Sequence, residues 1–134
     1  MKAYISIGLK SRKTLEGEVL AIKETLSNLS IQSFIFVDAH RFHPSQEKEM
    51  MQQAMTDIDR CDLFIAEVSE KAIGVGVEAG YAKGKGKSVI YIRNSNAEHS
   101  TTISGIADFH IMYSDTDNLK ISLKKTIELW ISTI

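Results

Sequence analysis

Two glycines and a carboxylate, Gly74-Val75-Gly76-Val77-Glu78, follow shortly after the apolar run Leu63 to Ala66. Small residues at helical spacing, Ala79, Gly80 and Ala82, come next. A strand that turns into a helix here places Glu78 in the first helical turn, at the carboxyl end of a parallel sheet, where open α/β folds bind ligands. Gly74 and Gly76 let a ligand approach the backbone closely. A carboxylate in such a crevice can stabilise a developing cation or attack it. The same residues also have a plain structural use, since tight turns need glycine and an acidic first turn complements the helix dipole. The pattern is not Gly-x-Gly-x-x-Gly, because Ala79 holds the third position, so a dinucleotide site is not expected.

Three other groups carry potential chemistry. Gly8-Leu9-Lys10-Ser11-Arg12-Lys13-Thr14 follows the first apolar run and reads as a basic, hydroxyl-bearing loop before a helix, suited to an anion such as phosphate. It lacks the glycine spacing and Gly-Lys-Ser/Thr of a Walker loop. His40-Arg41-Phe42-His43-Pro44 offers two histidines without a third ligand at a convincing spacing, so no metal site is expected, and an ordinary surface turn is the favoured reading. Glu67, Ser69 and Glu70 close the third apolar run. Glu67 is expected to accept loop amide hydrogen bonds, and Glu70 to face solvent with Lys71. No acidic pair follows the first strand, which argues against a phospho-acceptor domain binding Mg²⁺.

These residues need a scaffold, and the chain supplies a regular one. Strand-like segments at Lys2–Gly8, Phe34–Val37, Asp62–Val68, Lys87–Arg93 and Phe109–Tyr113 alternate with helical stripes. The stripes are Leu15, Val19, Ile22, Leu26 and Leu29, then Met50, Met51, Ala54, Met55 and Ile58, with their methionines read as core. A third helix opens over Val77–Lys83, and a last one carries Leu119, Leu123, Ile127, Trp130, Ile131 and Ile134. This alternation predicts a three-layer αβα domain over residues 1–134 with a five-stranded parallel sheet of order 2-1-3-4-5, flavodoxin- or Rossmann-like. Its switch point falls between the first and third strands, beside Gly74 to Glu78. Asn94 to Thr102 reads as a polar loop, a lid or a subunit contact.

The 134 residues suffice for one domain, and 43% apolar with 25% charged residues is ordinary for a soluble protein. A net charge of −1 provides no general attraction for nucleic acid or an anionic membrane. No segment resembles a signal peptide or spanning helix. The single cysteine, Cys61, excludes an internal disulfide and reads as a small buried filler. A cytoplasmic location is expected.

Tyr4, the basic loop, Ala66-Glu67-Val68-Ser69 and Gly74 through Ala82 together resemble the nucleoside 2-deoxyribosyltransferase superfamily, and within it the 2′-deoxynucleoside 5′-phosphate N-hydrolases. The likeness runs from Tyr4 to about Asp108 and includes Gly105-Ile106-Ala107-Asp108. It implies cleavage of the base–sugar bond of a nucleoside or its 5′-monophosphate, with no cofactor and a small molecule as the partner. Glu78 matches the family's nucleophilic glutamate and Tyr4 the tyrosine beside it. Ser6, Gly8, Lys10, Ser11, Arg12, Ser69, Gly74 and Gly76 fall at substrate-binding positions, with Lys10, Ser11 and Arg12 where the hydrolases hold phosphate. Ser100 falls at the serine that reaches a phosphate in the neighbouring subunit, which implies a homodimer or larger assembly. The family's second catalytic aspartate is Ala54 here, which leaves Asp57, one helical turn later, as the candidate replacement. The serine often found before the glycine pair is Ala72, and the usual glycines of the first loop are Ser11 and Arg12.

Overall fold

Every sheet strand pairs in parallel, and the order is the expected one, β2-β1-β3-β4-β5. The computed structural model describes residues 1–134. Its strands are β1 (Lys2–Ser6), β2 (Gln32–Ile35), β3 (Leu63–Glu67), β4 (Ser88–Asn94) and β5 (Phe109–Tyr113). Seven α-helical segments connect and cover them: α1 (Leu9–Thr14), α2 (Glu16–Asn28), α3 (Phe36–Ala39), α4 (Glu47–Asp59), α5 (Ile73–Gly84), α6 (Thr101–Ser104) and α7 (Thr116–Ile131). A short 3₁₀ turn, Pro44–Gln46, leads into α4.

The two-residue alternation of the strands divides the core in two. Ala3, Ile5, Leu63, Ile65, Ile90 and Ile92 pack with α2 and α7, through Val19, Ile22, Leu26, Leu119, Leu123, Ile127 and Trp130. Tyr4, Phe64, Ala66, Val89 and Tyr91 face the other way, onto Ile58 of α4 and Val75, Ala79 and Ala82 of α5, with Cys61 buried among them. Burial pushes the Cys61 thiol up to about 11, which keeps it protonated and unreactive at neutral pH.

Several element ends differ from the sequence expectation. The segment after β1 is a helix, closed by Arg12 N–H to Gly8 O and Leu15 N–H to Ser11 O at 2.9 and 2.8 Å. Its lysine, arginine and leucine are good helix formers, which outweighed the absence of an apolar period. β2 ends at Ile35, the last residue with a partner on β1; Phe36 and Val37 then coil into α3. α5 begins at Ile73, so both glycines lie inside the helix and Glu78 stands in its second turn. The helix dipole therefore does not account for Glu78. α7 ends at Ile131, and Ile134 is exposed. No helix is long and apolar enough to cross a membrane.

Candidate active site

Glu78 lies in the buried stripe of α5. Val75, Ala79 and Ala82 sit at the spacings that face the sheet, and Glu78 interrupts them with a carboxylate. Across from it, β1 presents Tyr4 and Ser6 on one face because they are two residues apart. Tyr4 Oη donates to Glu78 Oε2 at 2.5 Å, and Ser6 Oγ donates to Oε1 at 2.6 Å. Each carboxylate oxygen is thus held by a hydroxyl from the central strand. The Tyr4 ring is itself fixed, stacked on Phe64 at 5.4 Å and tilted against Phe34 at 5.6 Å.

This carboxylate opens onto a cavity of about 230 Å³ at the β1–β3 switch point. One wall is Ser6, Ile7, Gly8 and Leu9, at the end of β1 and the start of α1. Phe36 and Val37 of α3 and Met50, Met51 and Ala54 of α4 form the far side. Ala72, Gly74, Val75 and Glu78 close it from α5. Ser6 and Glu78 bring the polar side chains to the lining; no lysine or arginine is among the lining residues. Burial raises the Glu78 pKa above the usual carboxylate value, and the Ser6 and Tyr4 hydrogen bonds hold it back in part. Burial, then the Glu78 charge and hydrogen bond, push the Tyr4 phenol far up, so it remains a donor.

Two loops meet closely at the cavity rim. A Cβ on Gly8 would sit 3.0 Å from Ala72 Cβ. The Gly8 backbone, at φ −63°, is open to any residue, so the close approach of Ala72 is what demands glycine. Gly8→Ala is expected to cost about 1–3 kcal/mol in urea unfolding, and Ala72→Gly in the same chain to recover most of it. An undiminished Gly8→Ala stability would mean the two loops separate freely.

Of the residues singled out in the sequence, Ser6, Gly8, Gly74 and Glu78 line this cavity, with Tyr4 directly behind. The others lie elsewhere. Arg12 is forked onto Asp38, Nε to Oδ1 at 2.8 Å and Nη2 to Oδ2 at 3.0 Å, and also binds Glu16 at 2.7 Å. These partners hold the guanidinium and raise its pKa further. Lys10 is exposed and Ser11 buried; neither lines the cavity. Asp57 is buried outside it, bound by His40 Nε2 at 2.9 Å and Gln53 Nε2 at 3.0 Å. Asp57 shares the buried face of α4 with Ala54 and Ile58, one turn further along the helix, and His40 and Gln53 hold its carboxylate there. Ser69 belongs to a separate network: its amide donates to Glu67 Oε1 at 2.6 Å, Tyr113 donates to Glu67 Oε2 at 2.9 Å, and Asn94 N–H donates to Ser69 Oγ at 2.9 Å. Glu67 thus accepts one loop amide, that of Ser69, together with the Tyr113 hydroxyl. Burial raises its pKa, opposed by those bonds.

Gly76 and Ser100 line a second, open cavity of about 560 Å³ on the other side of Ala72 and Val75. The glycine pair therefore faces two spaces, Gly74 one and Gly76 the other. His43 caps the 3₁₀ turn through Ser45 N–H at 3.2 Å. The apolar cavity wall was missed in the sequence. A signal for it was present: adjacent Met50 and Met51 are about 100° apart on a helix, so with Ala54 they make a broad apolar face.

Residues 15–124 match the model of the nucleoside 2-deoxyribosyltransferase family. The chain belongs to this family. The matched span contains Glu78, while Tyr4 and Ser6 precede it. The fold is also similar to that of a CMP N-glycosidase from Clostridium botulinum, 18% identical over 94% of this chain and 99% of that one, with a TM-score of 0.71. A 2-deoxyribosyltransferase from Bacillus psychrosaccharolyticus is 12% identical over 90% of each chain, with a TM-score of 0.67. A conserved protein from Enterococcus faecalis is 15% identical over 94% and 98%, with a TM-score of 0.71. None of the curated proteins matches the sequence.

Proposed function

We propose that this family member is an N-glycosidase or deoxyribosyltransferase that cleaves the base–sugar bond of a nucleoside or its 5′-monophosphate through Glu78. The observation that carries this reading is a carboxylate oriented by two hydroxyls at the edge of a sugar-sized apolar cavity. Glycosidic cleavage passes through an oxocarbenium-like transition state. A desolvated carboxylate beside the anomeric carbon stabilises that charge far better than water would. Glu78 then bonds to C1′, and the base leaves. Water resolves the ester in a hydrolase, and a second base resolves it in a transferase. Tyr4 and Ser6 hold the attacking oxygens at fixed positions, which supplies the orientation such a step needs.

A 5′-phosphate at this site would find Arg12, one of the cations after β1, already paired with two carboxylates. A phosphate must therefore displace Asp38 or bind Lys10, while an unphosphorylated nucleoside makes no such demand. The Ser100 assignment calls for a homodimer, read directly by light scattering. A second reading draws on Ala54: a pocket without a second carboxylate holds a nucleotide and leaves it intact.

Incubation of the protein at substrate-like concentration with each 2′-deoxynucleoside and 5′-monophosphate, followed by chromatography, is expected to release free base. Denatured-enzyme mass spectrometry should find a sugar adduct that Glu78→Gln lacks. Tight binding with no base and no adduct from any compound would replace the enzymatic reading with the binding one.

A further inference from the structure

The cavity has a nucleophile but no acid to serve the leaving base. Ala54 occupies the α4 wall, beside the thioethers of Met50 and Met51. Asp57 on the same helix is turned to His40 and Gln53. Tyr4 spends its proton on Glu78, and its phenol is pushed away from the range in which it could release one. Ser6 is a still weaker acid. A neutral base that departs unprotonated leaves as an anion, and proton donation to a leaving group is worth roughly 10²–10⁴-fold in rate.

The cavity is also short of positive charge. Glu78 meets no cation on the lining, and Arg12 is held by Asp38 and Glu16. A ligand that brings its own positive charge would complete an ion pair with Glu78 and face the Phe36 ring on the cavity wall. One substrate class meets both needs at once. Resting on the Glu78 reading above, we propose that the site is built for N-glycosides whose base carries a fixed positive charge, such as an N-alkylated purine or a pyridinium.

The step balances without an acid. A Glu78 oxygen bonds to C1′, the C1′–N electron pair passes to the ring nitrogen, and the base departs neutral with no proton transferred. Hydrolysis of the ester returns the carboxylate and releases one proton to water. On the way to the transition state the positive charge moves from the ring to the anomeric carbon beside Glu78, and formation of the ester then neutralises it.

The test compares 7-methyl-2′-deoxyguanosine with 2′-deoxyguanosine, and their ribose counterparts, on the wild-type protein, with Glu78→Gln as the blank for spontaneous loss. The cationic compound is expected to exceed its parent in kcat/KM by about 10²-fold or more. A ratio near one, with release from both abolished in Glu78→Gln, would overturn the inference and leave Glu78 as nucleophile, because some group must then protonate the neutral base. No Glu78-dependent release from any of the four overturns the inference together with the nucleophile assignment. In parallel, Ala54→Asp should raise turnover of the neutral parent relative to that of the cationic compound by at least about 10-fold. An equal gain for both counts against it, and the wild-type comparison decides if that variant does not fold.

Discussion

Glu78→Gln is expected to lower base release by on the order of 10⁴-fold or more, since the amide cannot form the glycosyl ester. The same change is expected to stabilise the fold at pH 7. Burial raises the pKa of Glu78 above 4.5, the ordinary value, so the folded state binds this proton more tightly than the unfolded chain. The sign follows: the group adds stability below about pH 4.5, and that contribution is lost as pH rises through the raised value. Ionising this carboxylate in an apolar cavity without a cation on its lining costs the native state stability. The amide side chain of the variant would carry no charge, accept from one hydroxyl and donate to the other. The gain should be about 1 kcal/mol, or roughly 3 °C in Tm, and should shrink toward pH 4. Thermal unfolding of both proteins at pH 4 and pH 7, beside the base-release assay, checks the pair of effects. Lost activity with no pH-dependent gain would show that Glu78 is more solvated than its burial implies. Full activity in Glu78→Gln would remove it from the chemistry.

Removing the hydroxyls behind the carboxylate should separate orientation from charge. Tyr4→Phe keeps the ring against Phe64 and deletes one donor to Oε2; Ser6→Ala deletes the donor to Oε1. A hydrogen bond to a charged group contributes about 1.5–3 kcal/mol, so each variant should lose about 10- to 100-fold in kcat/KM at pH 6. Both hydroxyls favour the ionised carboxylate, so each deletion raises the Glu78 pKa further. The acid limb of the pH–rate profile therefore moves to higher pH in both variants, and part of the loss is recovered by pH 8.5. A uniform loss with the limb unmoved would assign Tyr4 and Ser6 to packing alone. The double variant should lose less than the sum in free energy, because both hydroxyls serve one carboxylate.

Gly74 and Gly76 show how the local pattern and the site diverge. In sequence they form one motif before Glu78. In the molecule α5 continues through them, and neighbouring positions on a helix point about 100° apart. A pair two apart therefore faces different directions, and each glycine opens a different cavity. Arg12 shows the same limit for charge. Its run of cations suggests an anion site, but Asp38, 26 positions away, takes the guanidinium.

Much of the architecture was determined by the sequence alone. Alternating strand and helix periods fixed a parallel five-stranded sheet in the order observed, and the strand-to-helix step at residue 67–73 placed Glu78 at the switch point. Those features depend on periodicities that each segment carries within itself. The tertiary structure decided which groups reach one another: Tyr4 and Ser6 on the two oxygens of Glu78, Arg12 on Asp38, Asp57 on His40, and the methionines and Ala54 on the cavity wall. These outcomes depend on how closely α1, α4 and α5 pack around the end of β1, and the contact of Gly8 with Ala72 sets part of that distance. Local sequence carries no record of such distances, because they arise from side chains far apart in the chain filling one shared space.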